Sequence, residues 1–127
     1  MLTLLTALAL AQAVVIDRAE HAPDAAMTAE LLQRPAGLTT TAFLDQLIAE
    51  AGAAEWERRE TAGPYEGAQV RIVGLRRTQG DGLMFFLPAA EDSRGSACRI
   101  RRLREGAPEA QGEQLLRYCL SAVAAGR

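Results

Sequence analysis

The chain has 127 residues, 49% apolar and 24% charged, with a mean hydropathy of −0.02 and a net charge of −2. This balance argues against a disordered tail and against a basic nucleic-acid binder, and fits one globular domain with enough apolar residues to fold alone. All fourteen basic residues are arginine, for which codon usage in a GC-rich genome is the simplest account.

Residues 1–16, MLTLLTALALAQAVVI, carry no charged side chain, and the Leu/Ala run ends at Ala11-Gln12-Ala13. A short apolar run closed by a small-x-small step is the pattern of a secretory signal, so residues 1–13 are expected to be a signal peptide cleaved before Val14. Sixteen residues fall short of the ~20 that span a bilayer as a helix, so no stable membrane anchor is expected after cleavage. The expected localisation is periplasmic or secreted. The two cysteines, Cys98 and Cys119, agree with this, because an even pair in an exported chain is most simply a disulfide.

Residues 14–23 show little periodicity and are expected to form a flexible leader, the alternative being a short edge strand from Val14 to Ile16. His21 lies here, without a second His or Cys at metal-ligand spacing, so no metal site is expected. Residues 24–127 are expected to form a single α+β domain. Asp24 suits the cap of a short helix carrying Met27 and Leu31 on one face, ended by Arg34-Pro35. A second helix starts at Thr39 or Thr40, repeats Phe43, Leu44, Leu47, Ile48 and Ala51 at helical spacing, and closes at Gly52, which can take the left-handed position. Residues 53–61 suit a strand better than a helix, with Trp56 packed from the sheet against a helix. Gly63-Pro64-Tyr65-Glu66-Gly67 is then a turn.

From Ala68 to Arg104 the pattern is a β-meander: Val70, Ile72 and Leu75, the turn Gln79-Gly80-Asp81-Gly82, the apolar run Leu83–Leu87, a polar loop, then Cys98-Arg99-Ile100-Arg101. A bulge at Gly74 would return Leu75 to the face of Val70 and Ile72. Pro108 opens a last helix with Glu109 and Glu113 near its N-terminus and Leu115, Leu116, Cys119, Leu120 and Val123 on its apolar face. The fold class is therefore α+β: an antiparallel meander of three or four strands covered by N-terminal helices and a C-terminal helix, with one disulfide.

Charge divides unevenly. From Val14 to Glu66 there are ten acids against four arginines; from Gly67 to Arg127, six acids against ten arginines. The meander's second face collects Arg71, Arg99 and Arg101, with Arg102 and Arg104 near the strand end. These five are the candidate contacts for a phosphate, a carboxylate or an acidic protein surface. The plainer reading is a solvated sheet face whose arginines pair with Glu55 and Glu57. Catalysis has little to stand on: His21 is alone, Ser93, Ser96 and Ser121 lack a nucleophile-elbow setting, and Glu91-Asp92 lies on a polar loop. No cofactor, catalytic residue or nucleic-acid partner is expected.

The helix ending Ile48-Ala49-Glu50-Ala51-Gly52, the strand segment Gly80-Asp81-Gly82-Leu83-Met84-Phe85-Phe86 and then Cys98-Arg99-Ile100-Arg101 resemble the YbjN-like family of small bacterial proteins with a secretion-chaperone-like α+β fold. The resemblance runs from Thr39 to Leu103; beyond it the chain lacks the family's Asn-Trp-Asn signature. It implies a non-enzymatic, protein-binding role and offers no catalytic residue to transfer. The expectation is thus an exported binding protein of the bacterial envelope, of the small inhibitor, immunity or chaperone-like kind. An anion-binding module is the alternative and a small envelope hydrolase an outsider.

Overall fold

The computed structural model describes residues 13–20, 27–77, 82–102 and 109–127, and within them six strands and two helices. The elements are β1 (Val15–Glu20), β2 (Met27–Leu32), α1 (Thr40–Glu50), β3 (Glu57–Tyr65), β4 (Ala68–Arg76), β5 (Gly82–Pro88), β6 (Ala97–Arg102) and α2 (Glu109–Ala124). All strands join one antiparallel sheet in the order β1-β2-β6-β5-β4-β3. The meander β3-β4-β5-β6 is there, extended on its β6 side by the hairpin β1-β2. α1 carries the chain from β2 to β3, on the opposite edge of the sheet.

The helices lie on opposite faces. Phe43, Leu44, Leu47 and Ile48 of α1 pack with Leu32, Val73, Leu75, Leu83, Phe85 and Leu87. Leu115, Cys119, Ala122 and Val123 of α2 pack with Ala29, Leu31, Val70, Phe86, Cys98 and Ile100. Successive strand residues point to opposite faces, so β5 contributes Leu83, Phe85 and Leu87 to one core and Phe86 to the other. Its apolar character on both faces has this cause.

The α+β class stands, with more strands and fewer helices than expected. The stretch expected as a helix with Met27 and Leu31 on one face is strand β2, buried along almost its whole length. A six-residue run covered on both faces has no alternation to distinguish it from a helical stripe, and pairing with β6 decides. The leader expected over residues 14–23 contributes β1, which runs past Ile16 to Glu20; His21 falls outside the described residues, as do residues 1–12, Arg104 and Pro108. The turn expected over Gly63–Gly67 narrows to Glu66-Gly67, with φ of 48° and 82°, because Gly63, Pro64 and Tyr65 pair with Val70, Gln69 and Ala68. Positive φ at both central residues is what a tight type I′ hairpin requires. Pro64 is tolerated because β3 is an edge strand. Register runs unbroken through Gly74, opposite Arg59 on one side and Met84 on the other, so there is no bulge there. Trp56 precedes β3 and packs half-buried against the α1-side core, with the Arg77 guanidinium 5.2 Å from its ring centre.

The caps of α1 and the disulfide follow expectation. Thr39 caps α1, accepting the Ala42 N–H at 3.1 Å, and Gly52 takes φ +66° just past the helix. Cys98 and Cys119 form the disulfide, tying β6 to α2. No helix among the described residues is long and apolar enough to cross a membrane.

Candidate functional site

α1 covers only part of its face of the sheet. Beyond its C-terminal end, the neighbouring strands β1, β2 and β6 place Arg18, Glu30 and Arg99 side by side in one row, and Arg101 stands next to Thr28 in the row below. Glu30 is 2% exposed. Its Oε1 accepts Arg99 Nη2 at 2.9 Å and faces Arg101 Nη2 at 3.1 Å, while its Oε2 accepts Arg18 Nη2 at 3.0 Å. Burial alone would raise the Glu30 pKa. The hydrogen bond from Arg99, the charges of Arg99 and Arg101 and the bond from Arg18 outweigh it and hold the carboxyl below its ordinary range.

These four side chains floor a cavity of about 530 Å³ whose apolar walls include Val15, Ala51, Trp56 and Leu83, with Glu50 and Arg102 also lining it. Three guanidiniums converge on the one carboxylate of Glu30 in the floor. Arg18 and Arg101 are 51% and 44% exposed, whereas Arg99 is only 14% exposed. The Nε–H groups of Arg99 and Arg101 are buried without a hydrogen-bond partner among the described residues. A desolvated donor left unmade costs about 1–3 kcal/mol, and more for a charged group, so the two weigh against the closed arrangement. Partly exposed guanidiniums in a concave wall are able to take an anion by forked hydrogen bonds.

Of the arginines singled out in the sequence, Arg99 and Arg101 come together in this cavity. Arg71 shares their face but stands apart, with Phe85 and Leu87 of β5 between. It bonds Glu60, donates to Thr41 Oγ1 at 2.9 Å and lies 3.6 Å from Glu91. Glu91 in turn accepts the Thr41 hydroxyl at 2.5 Å and the Thr41 N–H, so it satisfies the open N-terminal turn of α1. The arginine-bearing face is thus not one continuous patch: in place of the expected pairing with Glu55 and Glu57, Arg99 and Arg101 meet Glu30 and Arg71 bonds Glu60, while Glu57 lies beside Arg59 and Arg76.

Arg18 and Glu30 were missed because both lay in segments assigned to other structure. Had residues 27–32 been placed on a strand, alternation would have set Thr28, Glu30 and Leu32 on one face and marked an acid between apolar neighbours. Arg34 was also missed: its Nε donates to Gly95 O at 2.9 Å and its Nη1 to Thr40 Oγ1 at 2.9 Å, with the guanidinium over the Phe43 ring. That arrangement pins a loop to α1 and is a structural one. On the opposite face, a groove of about 760 Å³ lies beside α2, lined by Ile72, Met84, Ile100 and Leu116 among others.

The molecule is therefore a disulfide-linked α+β protein with a helix on each face of an antiparallel sheet and an arginine-floored cavity beside one of them. Comparison with protein-family models, with curated proteins and with solved structures gives no match for the chain.

Proposed function

We propose that this chain is a non-enzymatic binding domain of an oxidising envelope compartment, and that its ligand is an anion held in the arginine cavity. The observation that carries the reading is the convergence of Arg18, Arg99 and Arg101 on the single buried carboxylate of Glu30. Glu30 is committed to three ion pairs and holds the guanidiniums in place beside the cavity, so less side-chain order is lost on binding an anion. Export is supported by the apolar N-terminal segment with its small-x-small end and by the Cys98–Cys119 bond, which persists where thiols are not kept reduced. The YbjN-like resemblance points the same way, toward binding rather than catalysis. A protein partner of the inhibitor, immunity or chaperone-like kind would engage the same cavity through an acidic side chain.

Titration calorimetry of the purified protein with benzoate, inorganic phosphate and phenyl phosphate tests this reading. At least one of these anions should bind, its affinity should fall from low to high salt, and Arg101→Gln should weaken it by on the order of tenfold. Absence of binding by all three, or affinity indifferent to both salt and Arg101→Gln, would remove the proposal.

A further inference from the structure

The groove beside α2 is built differently from the arginine cavity, around bare backbone and apolar side chains. We infer that it binds a free, single-chain carboxylic acid, with the alkyl chain over Gly74 against Ile72, Met84 and Leu116 and the carboxylate at Arg102 and Arg76. This second site lies on the other face of the sheet from Glu30 and does not rest on the anion reading.

Register sets the floor. On the α2 side, Arg59, Gly74, Met84 and Ile100 stand in one row across β3, β4, β5 and β6, and Glu57, Arg76, Gly82 and Arg102 stand in the next. Each row contains a glycine, and the two glycines fall on neighbouring strands. A Cβ at Gly74 would meet only Arg59 O at 3.9 Å and one at Gly82 only Leu75 O at 3.8 Å, so the space above both is open. The resulting groove of about 760 Å³ lies within the range of sites that enclose a whole small molecule. Met27, Ile72, Met84 and Leu116 are part-buried and line it. Met27 and Met84 are the chain's only methionines besides Met1. Unbranched, polarizable thioether side chains adapt to a flexible apolar ligand, and an alkyl chain is the simplest one. Two adjacent glycines clear the width of one chain, which favours a single-chain acid over a two-chain membrane lipid.

The charged end of the groove supplies the complement to a head group. Arg76 and Arg102 stand on either side of Gly82, with no side chain between them. Arg102 is exposed and has no ion pair among the described residues. Glu57 lies 3.6 Å from Arg76 and 3.7 Å from Arg59, beyond direct hydrogen-bond distance of both. Glu60 also lines the groove, but its carboxylate is bonded to Arg58 and Arg71. A carboxylate above Gly82 accepts forked bonds from Arg102 and shares Arg76 with Glu57.

The test is calorimetry of the full protein with decanoate below its micelle concentration, decan-1-ol and acetate, together with carbon-labelled methionine methyl spectra. Decanoate should bind on the order of tenfold or more tightly than decan-1-ol, which lacks the charge, and than acetate, which lacks the chain. Arg102→Gln should erase most of the advantage over decan-1-ol. The Met27 and Met84 methyl resonances should shift with decanoate and not with acetate, and Arg101→Gln should leave those shifts unchanged. Gly74→Val puts a side chain into open space on a strand, so it should leave the circular dichroism spectrum unchanged and lower decanoate affinity on the order of tenfold or more. Phosphatidylglycerol vesicles should not displace decanoate. No binding of decanoate, decan-1-ol binding as tightly, or an advantage untouched by Arg102→Gln would overturn the acid. Methionine resonances that stay still on binding, or affinity unchanged in Gly74→Val, would overturn the groove; should that variant fail to fold, the methionine spectra decide. Displacement by the vesicles would overturn the free, single-chain source. Each of these outcomes leaves the arginine cavity to be judged by its own titrations.

Discussion

Removing the carboxylate of Glu30 would leave Arg18, Arg99 and Arg101 facing one another across three neighbouring strands. Breaking a buried pair by deleting one partner costs about 3–5 kcal/mol, and because two of the three arginines are half-exposed, Glu30→Ala should fall near about 3 kcal/mol in denaturant unfolding. The same residue makes stability pH-dependent. Its folded pKa lies below the ordinary value of 4.5, so the folded protein takes up that proton less readily than the unfolded chain. Its contribution is therefore present above the unfolded value and lost as pH falls through the folded one. Asp17, Glu60 and Glu91 are shifted in the same direction, chiefly by the Tyr118 hydroxyl, the Arg71 guanidinium and the Thr41 side chain respectively. Thermal stability should decline steeply below about pH 4, and Glu30→Gln should flatten part of that decline. A melting temperature level from pH 6 to pH 3 would contradict this.

At the scale of elements, β3 shows how a strand can form with little apolar signal. From Glu57 to Ala62 every residue is exposed, and the strand is held by its nine-pair register with β4 and by the tight turn that sets that register. Gly67 has φ +82°, and a Cβ added there would meet nothing within 4 Å. The cost of Gly67→Ala is thus purely one of backbone conformation, about 1–2 kcal/mol, and should appear as a lower denaturant midpoint with an unchanged slope. Glu66 holds φ 48° with a side chain that does not favour it, so Glu66→Asn should be neutral or slightly stabilising. The alternation of Ala54, Trp56, Arg58 and Glu60 with their neighbours favoured a strand over residues 53–61, but the strand begins only at Glu57, and residues 53–56 form the turn before it. The turn was placed too early because Gly63 and Pro64 carry turn chemistry in isolation, whereas on an edge strand Pro64 has no need of a ladder donor.

For the whole molecule, the Cys98–Cys119 bond joins the central strand β6 to the helix that covers one face. Among the described residues, α2 is the helix on that side, and its other tie to the sheet edge is Tyr118, which donates to Asp17 at 2.5 Å, beside Arg127 at 3.0 Å. Closing a loop of this length is worth about 3 kcal/mol in the chain-entropy account, so reduction or Cys98→Ala/Cys119→Ala should lower stability by about that amount. Equal unfolding midpoints for the oxidised and reduced protein would refute this. The arginine-floored cavity lies on the opposite face, so the reduced protein, where still folded, should keep whatever anion affinity the oxidised protein shows.

The sequence by itself determined the elements whose signals are local. The periodicity of Phe43, Leu44, Leu47 and Ile48 with a threonine cap gave α1, the apolar run Leu83–Leu87 gave β5, and the chain's two cysteines gave the disulfide. It also placed Arg99 and Arg101 on one strand face, because alternation is a property of the strand alone. Tertiary structure decided the rest. β2 exists through pairing with β6 and β1 through pairing with β2, and only these pairings bring Arg18 and Glu30 to Arg99 and Arg101 while the position of α1 leaves the space above them open. A strand buried on both faces and a strand exposed along most of its length both lack hydrophobic alternation, so their partners are specified by contacts distant in sequence.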